Sequence, residues 1–162
     1  MKNKVILLIL DGLGYSYARK LMGNLEGWVG AGEAKVWQGQ SVLPSVSGPC
    51  YASIHTGLTP QDHGVTSNYH QGRLENADIF SAVKAAGGTT GAVAHSFFSD
   101  YFQSSPFNHL RDMEVDDINR PIQHARFYTM TGENKAQPAT PSDIDLFWQM
   151  SLLIQRHHPD YF

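Results

Sequence analysis

The feature that most constrains this chain is the apolar run Lys4–Leu10, KVILLIL, which ends abruptly in Asp11-Gly12. Seven residues of this kind, rich in Val, Ile and Leu, predict a central strand of a parallel sheet buried on both faces. A carboxylate at the end of such a strand is costly unless it is paired or holds a cation. Asp11 is therefore a candidate ligand rather than an ordinary turn residue. Asp11-Gly12-Leu13-Gly14 turns the chain at the C-terminal end of the strand, where open α/β sheets place their ligands. Gly12-Leu13-Gly14 also suggests a dinucleotide fingerprint. That reading fails on Tyr17, which stands where a third small residue is needed, and on Asp11, which would repel a pyrophosphate.

The second constraint is the stretch 43–68, LPSVSGPCYASIHTGLTPQDHGVTSN. Pro44 to Gly48 has no helical period, Pro49 to Thr56 permits about two helical turns, and Gly57 supplies a C-terminal stop. Ser47 is expected at the N-cap, where free N–H groups and the positive end of the helix dipole favour negative charge near its hydroxyl. For an arbitrary serine, plain capping accounts for such a place; its company raises the case for chemistry.

Taken together, Asp11-Gly12, Pro44-Ser45-Val46-Ser47 with Pro49, Thr56-Gly57, Pro60, His63-Gly64 and Asn68 resemble the alkaline phosphatase superfamily. The resemblance is to its type I phosphodiesterase/nucleotide pyrophosphatase branch and covers most of residues 4–95. It implies that Asp11 binds a metal and that Ser47 is a metal-bound nucleophile. Asn68, which lies 21 residues after Ser47 as the family pattern asks, would contact a phosphoryl oxygen. It further implies two divalent metal ions, zinc or alternatively manganese, and a small-molecule phosphate ester or phosphonate as substrate. A sulfatase is the sister reading. Ser47-Gly48-Pro49 matches the opening of the sulfatase run, but Cys50 and Tyr51 depart from its last two positions.

The fold expected is α/β: a doubly wound, mostly parallel sheet with helices on both faces. Besides the first strand, helices are expected over Tyr15–Met22, Asn76–Ala86 (capped by Asn76, ended by Gly87-Gly88) and Ser142–His157. A buried strand is expected over Thr89–Ala94, with short strands at Ala34–Trp37 and Gln40–Leu43. The glycine-rich 23–33 reads as a loop. Residues 95–141 lose periodicity and are expected to form short helices or a lid. His55, His63 and His70 read as structural. His157-His158 complement the dipole of the last helix, since neighbours do not share a helix face.

At 162 residues with 41% hydrophobic and 17% charged residues, the chain is expected to be a single globular domain. A net charge of −3 without a Lys/Arg run argues against a nucleic-acid polymer as partner. No run reaches transmembrane length, so no membrane partner is expected, and the lone Cys50 fits a reducing compartment, the cytoplasm. The later Asp and His metal ligands of the family have no counterpart, so the expectation is the N-terminal portion of a larger hydrolase carrying half a site. The alternative is a non-catalytic anion- or phosphate-binding α/β module, or a truncated inactive fragment.

Overall fold

The computed structural model describes residues 3–129 and 141–162. Residues 130–140, part of the expected lid, lie outside the described set. Contacts divide the chain into two units, Leu8–Ser41 and the remainder.

The unit Leu8–Ser41 is helical. Asp11 and Gly12 form an exposed turn, with Gly12 at φ +76, a conformation open to glycine. Helix α1 spans Tyr15–Leu21 and α2 spans Gly23–Gly30. The glycine-rich segment is thus a helix and not the expected loop. Its glycines each cost on the order of 1 kcal/mol in a helix, and a two-pronged Arg19–Glu26 ion pair, one prong of 2.8 Å, links it to α1. The strands expected at Ala34–Trp37 and Gln40–Leu43 are not formed.

The larger unit holds the core. Helix α3 spans Ser47–Thr56 and closes on Gly57 in the left-handed region, as the sequence predicts. A short α4, Pro60–His63, follows. Helix α5 is Ile79–Ala85, later than expected. Asp78 takes the capping role instead of Asn76, because its carboxylate accepts from the Ser81 N–H at 3.0 Å. Strand β1, Gly91–His95, leads into α6, Phe97–Phe102, which buries Phe98, Tyr101 and Phe102 at helical spacing. Asn108 caps the four-residue α7, His109–Asp112. Strands β2, Glu114–Asp116, and β3, His124–Tyr128, follow, and α8 runs Asp143–His157 behind its Ser142 cap.

The sheet order is β1-β3-β2, with β1 parallel and β2 antiparallel to β3. Two single-residue parallel bridges continue it past β1: Tyr161 pairs with Thr90 on one side and Val5 on the other. This is a mixed α/β arrangement with a small sheet. The run before Asp11 departs from expectation, for it forms only the bridge at Val5. Ile6 is 56% and Leu8 53% exposed. Its strand-like backbone bonds go to residues 160–162: Val5 N–H to the Asp160 carbonyl, Leu7 N–H to the Phe162 carbonyl and Phe162 N–H to the Val5 carbonyl. The Leu10 carbonyl accepts from Leu13 N–H in the following turn. Burial on both faces requires helices laid over both sides of a ladder, and this segment makes no such ladder.

Between sheet and helices lies an aromatic core around His55. The imidazole is 3% exposed, stacks on Phe80 at 5.2 Å, and meets Phe98 edge-on at 5.0 Å. Its Nδ1 lies 3.0 Å from the Tyr51 carbonyl oxygen. His63 is equally structural. Its Nδ1 accepts from the Val65 N–H, so the proton is on Nε2 and is donated to Ser53 Oγ at 2.9 Å. Both are held below the ordinary histidine range, mainly by burial.

Candidate active site at the start of α3

Ser47 is the first helical residue of α3, and Val46 holds the capping position, one residue before the expected cap. Its side chain is half-buried. The next residue, Gly48, is buried and donates its N–H to Asn68 Oδ1 at 2.7 Å. The structure therefore brings two of the three predicted site residues to one helix end. Because a backbone N–H can only donate, the oxygen of the Asn68 carboxamide is the atom turned to the helix. Its NH₂ group remains as a donor on an exposed residue.

An accounting of the first turn sharpens what this end can do. A helix N-terminus normally offers up to four N–H groups to an anion. In α3, Pro49 has none, Gly48 is engaged by Asn68, and Cys50 bonds the Val46 carbonyl at 3.2 Å. What this helix end has to offer an anion is therefore its dipole, the Ser47 position and the Asn68 carboxamide rather than a row of amides.

Tyr101, from α6, forms the floor. It is fully buried, its ring stacked on Phe97 at 5.6 Å and edge-on to His70 at 5.7 Å. Among the described residues its hydroxyl has no hydrogen-bond partner, and burial pushes its pKa up to about 12. A Cβ added at Gly48 would stand 2.6 Å from this hydroxyl oxygen and 3.1 Å from both Asn68 Oδ1 and the Ser67 carbonyl. Only glycine lets the three approach. The aromatic cluster of 97–102 was legible in sequence, but nothing in it singles out Tyr101 as the residue under Ser47-Gly48.

Asp11 belongs to the other unit, in the turn before α1, and it is exposed. As donors, the Asp11 carboxylate and the Ser47 hydroxyl are of the hard oxygen type a divalent cation accepts. Two such groups are fewer than the four ligands of a zinc site. The described residues near Ser47 supply no further cluster of His, Asp or Glu, and the one such cluster in the described chain lies elsewhere.

The sequence model of the type I phosphodiesterase / nucleotide pyrophosphatase family matches residues 5–106, well over half of the chain. The chain belongs to this family, whose members are phosphoric ester hydrolases acting on small phosphate esters and typically depend on metal. The match takes in Asp11, Ser47, Asn68 and Tyr101. No curated protein and no solved structure matches the chain. Among the described residues no helix is long and apolar enough to cross a membrane.

Proposed function

We propose that the protein is a hydrolase of small phosphate esters, of the phosphodiesterase/nucleotide pyrophosphatase type, working through a phospho-Ser47 intermediate. The observation that carries the reading is the Gly48–Asn68 hydrogen bond, which sets a carboxamide donor beside the residue that bears the hydroxyl. In this scheme Ser47 Oγ attacks phosphorus and the bond from phosphorus to the leaving oxygen breaks. The proton lost from the Ser47 hydroxyl is balanced by the one the leaving oxygen takes up as it departs as the alcohol. Water then breaks the Ser47 Oγ–phosphorus bond, releasing a phosphate monoester from a diester or phosphate from a monoester and restoring the hydroxyl. The Asn68 NH₂ donates to a phosphoryl oxygen as charge builds there, a contribution of the oxyanion-hole kind. The positive end of α3 favours the phosphorylated state of Ser47.

Asp11 and Ser47 are the residues of this chain that would hold metal, on the strength of their places in the family motif. Zinc is our first choice and manganese the second; the ion would supply activation of the serine hydroxyl. These two groups are fewer than a full ligand set. We read the fold as that of a doubly wound α/β hydrolase, on the strength of the family match over residues 5–106. The substrate is a small phosphate ester or phosphonate, with no nucleic-acid polymer or membrane partner, and the setting is cytoplasmic.

The test is hydrolysis of bis-p-nitrophenyl phosphate and p-nitrophenyl phosphate with added zinc or manganese. It compares this chain, a form extended past Phe162, and Ser47→Ala in each. Turnover abolished by Ser47→Ala supports the scheme, with phosphoserine recoverable at position 47 after an acid quench. Full activity in Ser47→Ala removes Ser47 as nucleophile. Absence of turnover in every form, with phosphate still bound, turns the reading to a non-catalytic anion-binding module.

A further inference from the structure

A second cluster of chemically capable side chains lies away from Ser47. His124 opens β3, His157 is the last residue of α8, and Asp116 ends β2 directly opposite His124 in the antiparallel register. The two imidazole rings lie nearly parallel, 3.6 Å between centroids and 12° between planes. Asp116 Oδ1 is 2.7 Å from His124 Nδ1. One ligand atom from each of the three lies within 4.8 Å of the others. His124 is buried, His157 half-buried and Asp116 exposed, so the cluster is walled on one side and open to solvent on the other.

Its place in the fold separates it from the phosphoester site. His124 pairs with Gly91, so the cluster sits at the N-terminal ends of the two parallel strands. Asn68 and Gly48 pack against Tyr101 of α6, which follows the C-terminal end of β1. The family match ends at residue 106, before all three residues.

We propose that Asp116, His124 and His157 form a binding site for a divalent transition-metal ion of the zinc type. Two neutral imidazoles and a carboxylate are a donor set that suits zinc, nickel or copper and discriminates against magnesium and calcium, which prefer oxygen. Three protein ligands leave a fourth position for water on the solvent side. On a tetrahedral ion with bonds of about 2.0–2.2 Å, ligand atoms stand roughly 3.3–3.5 Å apart. The ligand atoms now lie within 4.8 Å of one another, so the set must draw together by about an ångström to close on an ion. Parallel rings do not aim their lone pairs at a common point, so the stack must open. Half-buried His157, at a helix end, is the residue placed to turn, and exposed Asp116 follows. Buried His124 stays, oriented by its contact with Asp116. A plain structural pair, with His124 donating to Asp116 and stacked on His157, is the competing account, and it makes no demand for metal.

The experiment is calorimetric titration of the full chain with zinc chloride. It is done in an Asp11→Asn background, so that zinc held at the family position does not contribute, and magnesium chloride is the control. Cobalt(II) replaces zinc in a parallel run to read the visible absorption of a tetrahedral nitrogen-ligated ion. We expect one zinc equivalent, no magnesium heat, and cobalt bands. His157→Gln abolishes that equivalent, and Asp116→Asn weakens it about 10–100-fold, as removing either a ligand or the group that orients one does. Both substitutions are at positions open to solvent, and far-UV circular dichroism checks that the fold is kept. Zinc affinity unchanged in both variants, or no zinc equivalent in the Asp11→Asn protein, overturns the proposal.

Discussion

Gly48→Ala tests the geometry at the start of α3. In an ordinary helix this exchange stabilises by about 0.5–1 kcal/mol, since glycine loses more freedom on folding than alanine. Here the new methyl would meet the Tyr101 hydroxyl at 2.6 Å, with Asn68 Oδ1 and the Ser67 carbonyl both at 3.1 Å. Tyr101 is fully buried and cannot swing away. Forcing a methyl into a packed site costs roughly 1–3 kcal/mol, so the clash outweighs the helix gain and the variant is destabilised by about 1–2 kcal/mol. Tyr101→Phe removes the nearest obstacle together with a hydroxyl that has no partner among the described residues. That variant alone is neutral or more stable by up to about 1 kcal/mol. In the double variant the remaining 3.1 Å contacts relax by tenths of an ångström, and Gly48→Ala becomes nearly neutral. Urea unfolding of the four proteins gives the coupling energy, expected at about 1 kcal/mol or more in the rescuing direction. Additivity within about 0.5 kcal/mol, or a stabilised Gly48→Ala single variant, would refute the argument that Tyr101 forces glycine at this position.

Asn68→Asp separates holding from chemistry. A carboxylate oxygen still accepts from the Gly48 N–H, and its charge favours the helix end by about 0.3–1 kcal/mol, so thermal stability is kept or rises. The NH₂ donor is gone and a negative charge faces the phosphoryl group, so turnover of bis-p-nitrophenyl phosphate falls about 10²–10³-fold or more; unchanged turnover would remove Asn68 from the site. His55 predicts a pH dependence of stability. Burial pulls its folded pKa below the ordinary 6.5, against the opposing pull of the Tyr51 carbonyl and of Asp78. The unfolded chain therefore binds more protons, and stability is full above about pH 6.5 and declines as pH falls towards the depressed folded value. His55→Phe flattens part of that decline in urea melts at pH 5–8, and His63, depressed in the same direction, accounts for a remainder. An unaltered slope in His55→Phe would place the proton uptake elsewhere.

What could be read ahead of the structure was what depends on neighbours in sequence. Gly57 ends α3 because a left-handed residue is needed there, and Ser142 caps α8 because its hydroxyl reaches the Asp145 N–H. Asn68 enters through the family resemblance, which asks for an asparagine 21 residues after Ser47, and no periodicity shows that its carboxamide oxygen takes the Gly48 N–H. The misses share a cause in tertiary context. The apolar run before Asp11 carries the composition of a buried strand, yet composition does not say which elements cover it, and Val5 and Leu7 find only residues 160–162. Asp78 takes the capping role from Asn76 because its two carboxylate oxygens accept from both the N–H and, at 2.7 Å, the hydroxyl of Ser81, a paired fit that a propensity argument does not weigh. The glycines of α2 were read as breakers, while Arg19 and Glu26 join that segment to α1.

His157 shows the limit of arguing from one element. Considered only on its own helix, it faces away from His158 and serves the dipole. Its partner, His124, is 33 residues earlier on another element. The antiparallel register of β2 and β3 sets Asp116 against His124, and the return of α8 across β1 and β3 delivers His157 to the same corner. None of these three placements follows from local pattern. The two ends of the parallel strands thus differ in how their chemistry is specified. At the α3 end, a compact motif of residues 47–68 carries most of its own geometry and needs Tyr101 only as a floor. At the other end, the donor set exists only once sheet register and helix return are both fixed. A substitution that shifts the β2–β3 register by one residue would turn Asp116 to the opposite face and leave the Ser47–Asn68 arrangement in place.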